Sequence, residues 1–503
     1  MRRVRNRQQK DSARSTGRPT QDRGRRRFLQ MAGASMIGGL GLAARAQSAV
    51  TKPRDGAADV LDVAIVGAGL AGLTTARDLN RAGCQSFVVL EARDRVGGRT
   101  FNHDLGDGRV SEAGGQWIGP GQTAVVDLAR ELEVDTFPTY YAGKTVFLAG
   151  DARLAVDLHG TFGTDEKIAA KLNALARDVP SGAPWLAPNA AELDALSVGD
   201  WLAQQAIAPA DRVGWDATVL LSGGATPAQM GLLHFLSMVN SAHSDYAQLD
   251  SIKDSAQETR FVGGSQILSI KMAKELDAHL RMTCPVRAIT DWDGEVVSLH
   301  TDRGVVRARR VVMAIHPALC NRIDFSPNLP NERAMLQRHW PAYTPGRKTA
   351  MVYARPFWRD KGLNGHVLQA GGPVLWAYDN SPPDAAIGVI NSFIQNGAVP
   401  SDPELATRML TAIYARALGD DALTPQQYHD VDWGTCDTWT LTCVAAIPPR
   451  FWTTYGKALH PPCGRLIWSG TETADIWAGY MDGAVRAGHR SALQVLNSLG
   501  AHA

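Results

Sequence analysis

Gly67-Ala68-Gly69-Leu70-Ala71-Gly72 lies between an apolar run, Val60–Val66, and a helical pattern over Leu73–Ala82. A turn at Gly83 leads to a second apolar run, Ser86–Leu90, which is followed at once by Glu91. That order suits the capture of a dinucleotide. Gly67 permits a tight turn, Gly69 lets backbone come close to a pyrophosphate, and Gly72 allows the helix to pack against the strand. The helix N-terminus presents free N–H groups and a partial positive charge to phosphate oxygens. Glu91, 19 residues beyond Gly72, is spaced to accept hydrogen bonds from ribose hydroxyls. The cradle Gly67, Gly69, Leu70, Ala71 and Gly72 does not by itself separate a nicotinamide from a flavin nucleotide.

The continuation does. Glu91-Ala92-Arg93-Asp94-Arg95-Val96-Gly97-Gly98-Arg99-Thr100 resembles the flavin amine oxidase family, the monoamine oxidases and their bacterial relatives. There this run surrounds the FAD diphosphate, so the resemblance implies nucleotide binding by Arg93, Gly98 and Arg99. Three later segments extend the likeness over most of the chain. Glu112-Ala113-Gly114-Gly115-Gln116-Trp117-Ile118-Gly119-Pro120 is similar to the segment that passes the flavin ring, which implicates Gly115, Gln116 and Trp117. Arg260–Gly264, a helical Ile267–Leu276 and Cys284-Pro285-Val286 are similar to the return to the FAD domain, where Val286 meets the adenine through its backbone. Leu466–Ala474 and Gly479–Ala484 match the C-terminal block: a strand, a loop and an Ala/Gly-rich helix over Gly483–Leu496. By family position Glu472 binds the ribityl chain and the Met481 N–H meets the pyrimidine edge. A helix N-terminus there stabilises negative charge on the reduced flavin.

Amine oxidation needs a neutral amine with its α-C–H against flavin N5 and its nitrogen held between apolar surfaces. The family supplies two aromatic rings perpendicular to the flavin and a lysine linked to N5 through water. Lys348, in Lys348-Thr349-Ala350-Met351-Val352-Tyr353-Ala354-Arg355-Pro356-Phe357-Trp358, matches that lysine by its spacing to Phe-Trp. Tyr480 matches one ring. The other ring falls on Cys443 when counted from Trp433 to Pro448-Pro449. Anchored on Trp439 instead, Cys443 stands where some relatives tether FAD through a thioether, with Thr442 in place of the customary glycine. Cys443 is thus a sulfur-lined half-cage with Trp439 substituting, a tether, or an inert thiol; the reading adopted is non-covalent FAD. Relatives acting on amino acids carry an arginine near residues 114–120 to clamp the carboxylate. Gln116-Trp117-Ile118 offers none.

The resemblance therefore implies oxidative deamination of an amine lacking an α-carboxylate. Hydride passes to N5, the imine hydrolyses, and dioxygen reoxidises the flavin to give H2O2. The alternatives are a dehydrogenase with a cytochrome or quinone acceptor, a flavin desaturase acting on C–C bonds, and a flavin-binding protein without catalysis.

An α/β fold must position these blocks. The expectation is a Rossmann-like FAD-binding domain, discontinuous over residues 58–135, 256–325 and 434–503, interleaved with an α+β substrate-binding domain over 136–255 and 326–433. The second set shows apolar helical patterns broken by Pro and Gly, as in Ala228–Val239. The active site is expected where the two domains meet.

With 45% hydrophobic and 20% charged residues, the chain of 503 has ample material for a core, which excludes a disordered protein. Its net charge of +2 hides an asymmetry. Residues 1–46 hold 12 of the 52 Lys and Arg and 2 of the 50 Asp and Glu, leaving 40 basic against 48 acidic, a net −8. That argues against a nucleic acid partner. Arg25-Arg26-Arg27-Phe28-Leu29-Gln30, the mildly apolar Met31–Ala44 and Ala44-Arg45-Ala46 resemble a twin-arginine export signal with its cleavage site. Such a stretch falls short of the ~20 residues that a spanning helix needs. A periplasmic or secreted protein, handled by the twin-arginine export machinery and without a permanent membrane anchor, is the expectation. Six cysteines (84, 284, 320, 436, 443 and 463) form no CxxC pair, so neither a zinc site nor a dense disulfide framework is indicated.

Overall fold

Leu61–Val66 forms a strand whose apolar run does not alternate, because both of its faces are covered: Val63 to Val66 are all buried. The computed structural model describes residues 60–157, 165–342, 346–395, 397–436, 438–441 and 446–500, all within one unit. In it this strand pairs in parallel with Phe87–Leu90 on one side and Gly304–Met313 on the other. Across the sheet the order is 324–326, 286–290, 297–301, 304–313, 61–66, 87–90, 280–281. Gly304–Met313 changes neighbour midway. Its first half pairs antiparallel with Val297–Thr301, whereas Val311–Met313 pair in parallel with Leu466–Trp468. Three parallel strands therefore end on one edge, at Gly67, Ala314 and Ser469, and such an edge is where α/β sheets bind ligands. This is a Rossmann-like arrangement.

Two helices cover one face of that edge. Leu70–Arg81 starts three residues earlier than the apolar pattern implies, because Gly69 is extended (φ −77°, ψ 178°) and the chain turns helical directly after it. Met481–Leu499 likewise begins two residues before Gly483. The helices approach closely at Gly488, where any Cβ would meet Thr74 and the Ala71 carbonyl; the Thr75 hydroxyl donates to the Gly488 carbonyl (3.1 Å).

A second sheet has the order 427–432, 347–353, 388–394, 374–379, 363–370, 144–149, 152–156. Its strand Arg347–Tyr353 is buried along its whole length. Between the two sheets in sequence runs a helical segment that includes Glu166–Ala176, Val198–Ala203, Pro209–Gly223 and Leu232–Ser241, with a core of Trp215, Phe235, Leu236 and Tyr246. The helix expected from Ala228 starts at Leu232. Pro227 and Met230 instead give their carbonyls to the Gly199 and Val198 N–H groups (2.8 Å each), and the Gly231 N–H donates to Ile447 (2.9 Å). Cross-chain bonding thus removes the first turn.

Candidate active site

The glycine turn builds a cradle. Gly67 has φ +104°, and a Cβ there would lie 2.7 Å from the Ala314 carbonyl oxygen, so the turn packs against the neighbouring strand end. Gly72 is pressed onto the Gly67 carbonyl. Gly69 differs: a Cβ added to it meets no atom within 4 Å. Its open side faces a cavity of about 160 Å³ whose walls include Leu70, Ala71, Glu91, Arg93, Gly98 and Arg99. Glu91, buried, fixes the turn itself: one carboxylate oxygen accepts the Ala68 N–H (2.8 Å), the other the Arg93 N–H (3.0 Å). Arg93 reaches across to the Thr440 hydroxyl.

The last strand closes this cradle. Beyond Leu466–Trp468, Gly470 and Thr471 line it, and so do Met481 and Ala484 at the start of the C-terminal helix. Glu472 is buried and pairs with Arg99 at 2.7 Å. Burial acts to raise its carboxyl, but Arg99 and then His316 outweigh that and hold it below the usual carboxylate range. His316, also buried, takes the Ala318 N–H on Nδ1 (3.2 Å), which places its proton on Nε2. Burial pushes this imidazole down to about 4, so it is neutral at pH 7.

A second cavity, of about 230 Å³, adjoins the first; Arg99, Gly115, Gly479, Tyr480 and Met481 line both. Its aromatic walls are Trp117, Trp340, Phe393, Trp433, Trp452 and Tyr480. Tyr480 caps the C-terminal helix and meets Trp477 edge to face at 5.0 Å; burial raises its phenol. Lys348 also lines this cavity. It is 3% exposed, and its ammonium donates to the Gly114 carbonyl (3.0 Å) and to Gln116 Oε1. Gln116 and Trp117 line this second cavity and not the cradle. Val286 lines neither cavity and sits in the sheet core. Trp439 lines the cradle under Arg287, 5.2 Å from its ring, and is not among the walls of the second cavity. Cys443 and the export-like segment 1–46 lie outside the described residues.

FAD fits these residues. The open side of Gly69 is shaped for a group that backbone alone can approach, and it lies at the start of a helix, where anions are favoured. Glu472 Oε2 and His316 Nε2 are buried with no hydrogen-bond partner among the described residues. Orphaned buried polar atoms cost about 1–3 kcal/mol each, a cost that a polyhydroxylated ligand offsets. The adjoining pair of cavities, one built on a glycine turn at a helix start, the other aromatic, defines a flavoenzyme with an apolar substrate pocket.

Comparison with known proteins agrees. Residues 70–496 match the family described as flavin containing amine oxidoreductase, and the chain belongs to it. It is an FAD-dependent oxidoreductase acting on amines. It is 38% identical over 445 residues to a Mycobacterium tuberculosis protein that bears the name flavin-containing monoamine oxidase AofH, covering 86% of this chain and 96% of that one. It is 32% identical to the L-amino acid dehydrogenase of Synechocystis (87% and 95% covered). A solved putrescine oxidase bound to putrescine superposes with a TM-score of 0.78 at 32% identity, over 87% of this chain and 99% of that one.

The pocket residues that sequence reasoning missed are Trp340, Trp452 and the His234–Ser241 stretch. Trp340 and the His234–Ser241 stretch come from the segments without a cofactor motif and Trp452 from the 434–503 segment ahead of its C-terminal block, and only the fold brings them to the cavity.

Proposed function

We propose that the protein oxidises a monoamine that bears an apolar substituent and no α-carboxylate. One observation carries this. Among the described walls of the second, amine-side cavity the cations are Arg99 and Lys348, and both are engaged, Arg99 by Glu472 and Lys348 by Gly114 and Gln116. A substrate carboxylate would find no guanidinium available for a bidentate clamp. The wall's carboxylate is Glu472, already paired, so a second amino group would find no counter-ion there.

FAD held by these residues would supply the acceptor for a hydride from the amine α-carbon. The protein's part is to select and orient. Apolar aromatic walls disfavour a charged amine, and the Lys348 charge repels one, so the amine is held neutral. Tyr480, on the wall common to both cavities, confines the nitrogen. Met481 N–H and the start of the C-terminal helix favour negative charge at the cradle. Gly67, Gly69, Leu70, Ala71, Gly72, Glu91, Arg93, Gly98 and Arg99 hold the dinucleotide, with Glu472 at its middle.

The rest of the reading is that the imine hydrolyses in water, that dioxygen takes the electrons to give H2O2, and that FAD is held without a covalent bond. Residues 58–135, 256–325 and 434–503 act as the FAD domain and 136–255 and 326–433 as the substrate domain. Residues 1–46 direct twin-arginine export. The likeness to a dehydrogenase supports a second reading of the acceptor, a cytochrome or quinone.

The test is an anaerobic titration of the purified holoenzyme with monoamines, diamines and amino acids, following the oxidised-flavin band. Bleaching by monoamines alone, reversed by air with release of H2O2, is expected. Bleaching by amino acids would overturn the substrate reading, and recovery through a quinone but not through air would move the enzyme to the dehydrogenases.

A further inference from the structure

Gln116 stands beside the cradle in sequence, yet its side chain points the other way. It is 1% exposed, its Nε2 donates to Asn380 Oδ1 (2.9 Å), and its Oε1 accepts from both the Tyr378 hydroxyl (2.8 Å) and the Lys348 ammonium. We propose that Gln116 is the positioning residue of Lys348: it fixes the ammonium against the Gly114 carbonyl on the wall of the amine-side cavity. Its relevance to turnover rests on the amine-oxidising reading above; the positioning itself does not.

The polarity of the network makes the case. An amide can face either way, and only its neighbours decide which. Here the decision starts at Glu112, which is 1% exposed and held by Arg260 at 2.8 Å. Burial acts to raise this carboxyl, but Arg260, Asn380 and Lys348 together keep it below the usual range, so it is an obligate acceptor. Asn380 must then turn its Nδ2 towards it (2.9 Å) and towards the Ser111 hydroxyl (3.0 Å), which leaves Oδ1 facing Gln116. Gln116 must offer Nε2 to that oxygen, which leaves Oε1 for Lys348. An anion 268 positions from Asn380 in the chain thus sets the direction of each amide up to the lysine. A flipped Gln116 would place an NH2 group against an ammonium.

A lysine needs such a guide. Its stem carries about 2 kcal/mol of rotamer entropy, and a point charge on it has no preferred plane. The rings of Trp117, Tyr378 and Phe393, 5.5, 5.9 and 5.5 Å from Nζ, confine the charge laterally without setting its direction. The Gln116 oxygen supplies the direction.

The experiment is a double-mutant cycle on the holoenzyme: Gln116→Leu, Lys348→Met and both together. Two quantities are read, the rate constant for flavin reduction at saturating amine and the flavin midpoint potential, which needs no amine. Gln116→Leu is expected to slow reduction about tenfold or more, with amine affinity changed by less than about threefold. It should also lower the potential in the direction that Lys348→Met does, since a fixed positive charge nearby favours the reduced flavin. In the Lys348→Met background the same change adds nothing. An equal loss in both backgrounds, or no change in either quantity, overturns the proposal. If Gln116→Leu fails to retain FAD, Asn380→Leu, which unlocks the amide but leaves its oxygen, is read through the same cycle. If no amine reduces the wild-type flavin, the substrate reading falls, and the potential cycle still decides Gln116.

Discussion

Arg99 and Glu472, 2.7 Å apart, tie the loop after the second strand to the loop after the last one, at the seam of the two cavities. The pair is where the two ends of the nucleotide-binding sequence meet. Glu472→Gln should therefore weaken FAD binding by about tenfold or more and destabilise the holoenzyme by roughly 1–3 kcal/mol. That is below the range for a fully buried pair, because the Arg99 side chain is 27% exposed. The sign with pH follows. A carboxyl held below its ordinary value of 4.5 contributes stability above that value and loses it as pH falls through the depressed one. Melting curves of wild type and variant should converge below pH 4.5; a constant gap down to pH 3.5 would show that charge is not the cause.

Two glycines two residues apart should behave in opposite ways. Gly69 has an ordinary backbone (φ −77°) and open space at its missing Cβ, so Gly69→Ala should leave the apoprotein unchanged or stabilise it by about 0.4–1 kcal/mol while cutting FAD affinity. Gly67 has φ +104° and no room, so Gly67→Ala should destabilise the apoprotein by about 1–3 kcal/mol. Melting of the apoprotein and FAD binding by fluorescence quenching separate the two. If Gly69→Ala binds FAD normally, the open side of Gly69 is not the nucleotide's place.

The contrast also shows what a sequence makes legible. The turn at Gly67, the helix after it, the strand after that and Glu91 are local: spacing and apolar runs suffice, and the parallel sheet follows from them. The error at the helix start, three residues, is what one extended glycine costs. Gln116 was readable only as a neighbour of the flavin segment, because its direction is decided by Asn380, 264 positions away. Val286 has its side chain in the sheet core, which is compatible with the backbone contact to the adenine that the likeness implies. Lys348 as a residue type suggests a solvated surface. The fully buried strand Arg347–Tyr353 removes that option, and nothing in the heptapeptide itself says so.

Tyr480 offers a test of ring against hydroxyl. Burial raises its phenol well above the ordinary value, so it does not ionise in the working range and can supply no limb to a pH–rate profile. Tyr480→Phe should keep the rate of flavin reduction and its pH dependence. Tyr480→Ala removes a ring contact of about 0.5–1.5 kcal/mol, which corresponds to a roughly 2- to 12-fold loss. Stopped-flow reduction across pH 7–10 decides. A tenfold loss in the phenylalanine variant would mean that the hydroxyl, not the face of the ring, does the work.

Acid should unfold this protein through its histidines before its carboxylates. His103, His316 and His366 are each pushed down to about 4, in every case chiefly by burial, from an ordinary 6.5. Between those values the unfolded chain binds a proton at each and the folded chain does not, so stability rises with pH there and is lost as pH falls from 6.5 towards 4. Each group contributes at most about 1.4 kcal/mol per pH unit, and the three together roughly 4. His366 is the one to change. It lies outside both cavities and accepts the Trp376 indole N–H on Nδ1 (3.2 Å), a bond that glutamine's oxygen can also take. His366→Gln should leave the amine titration unaltered and flatten the acid slope of unfolding free energy, measured in urea at pH 6.5, 5.5 and 4.5, by up to about 1.4 kcal/mol per pH unit. An unchanged slope would mean that His366 takes up its proton as readily in the fold as in the unfolded chain and does not drive the acid transition.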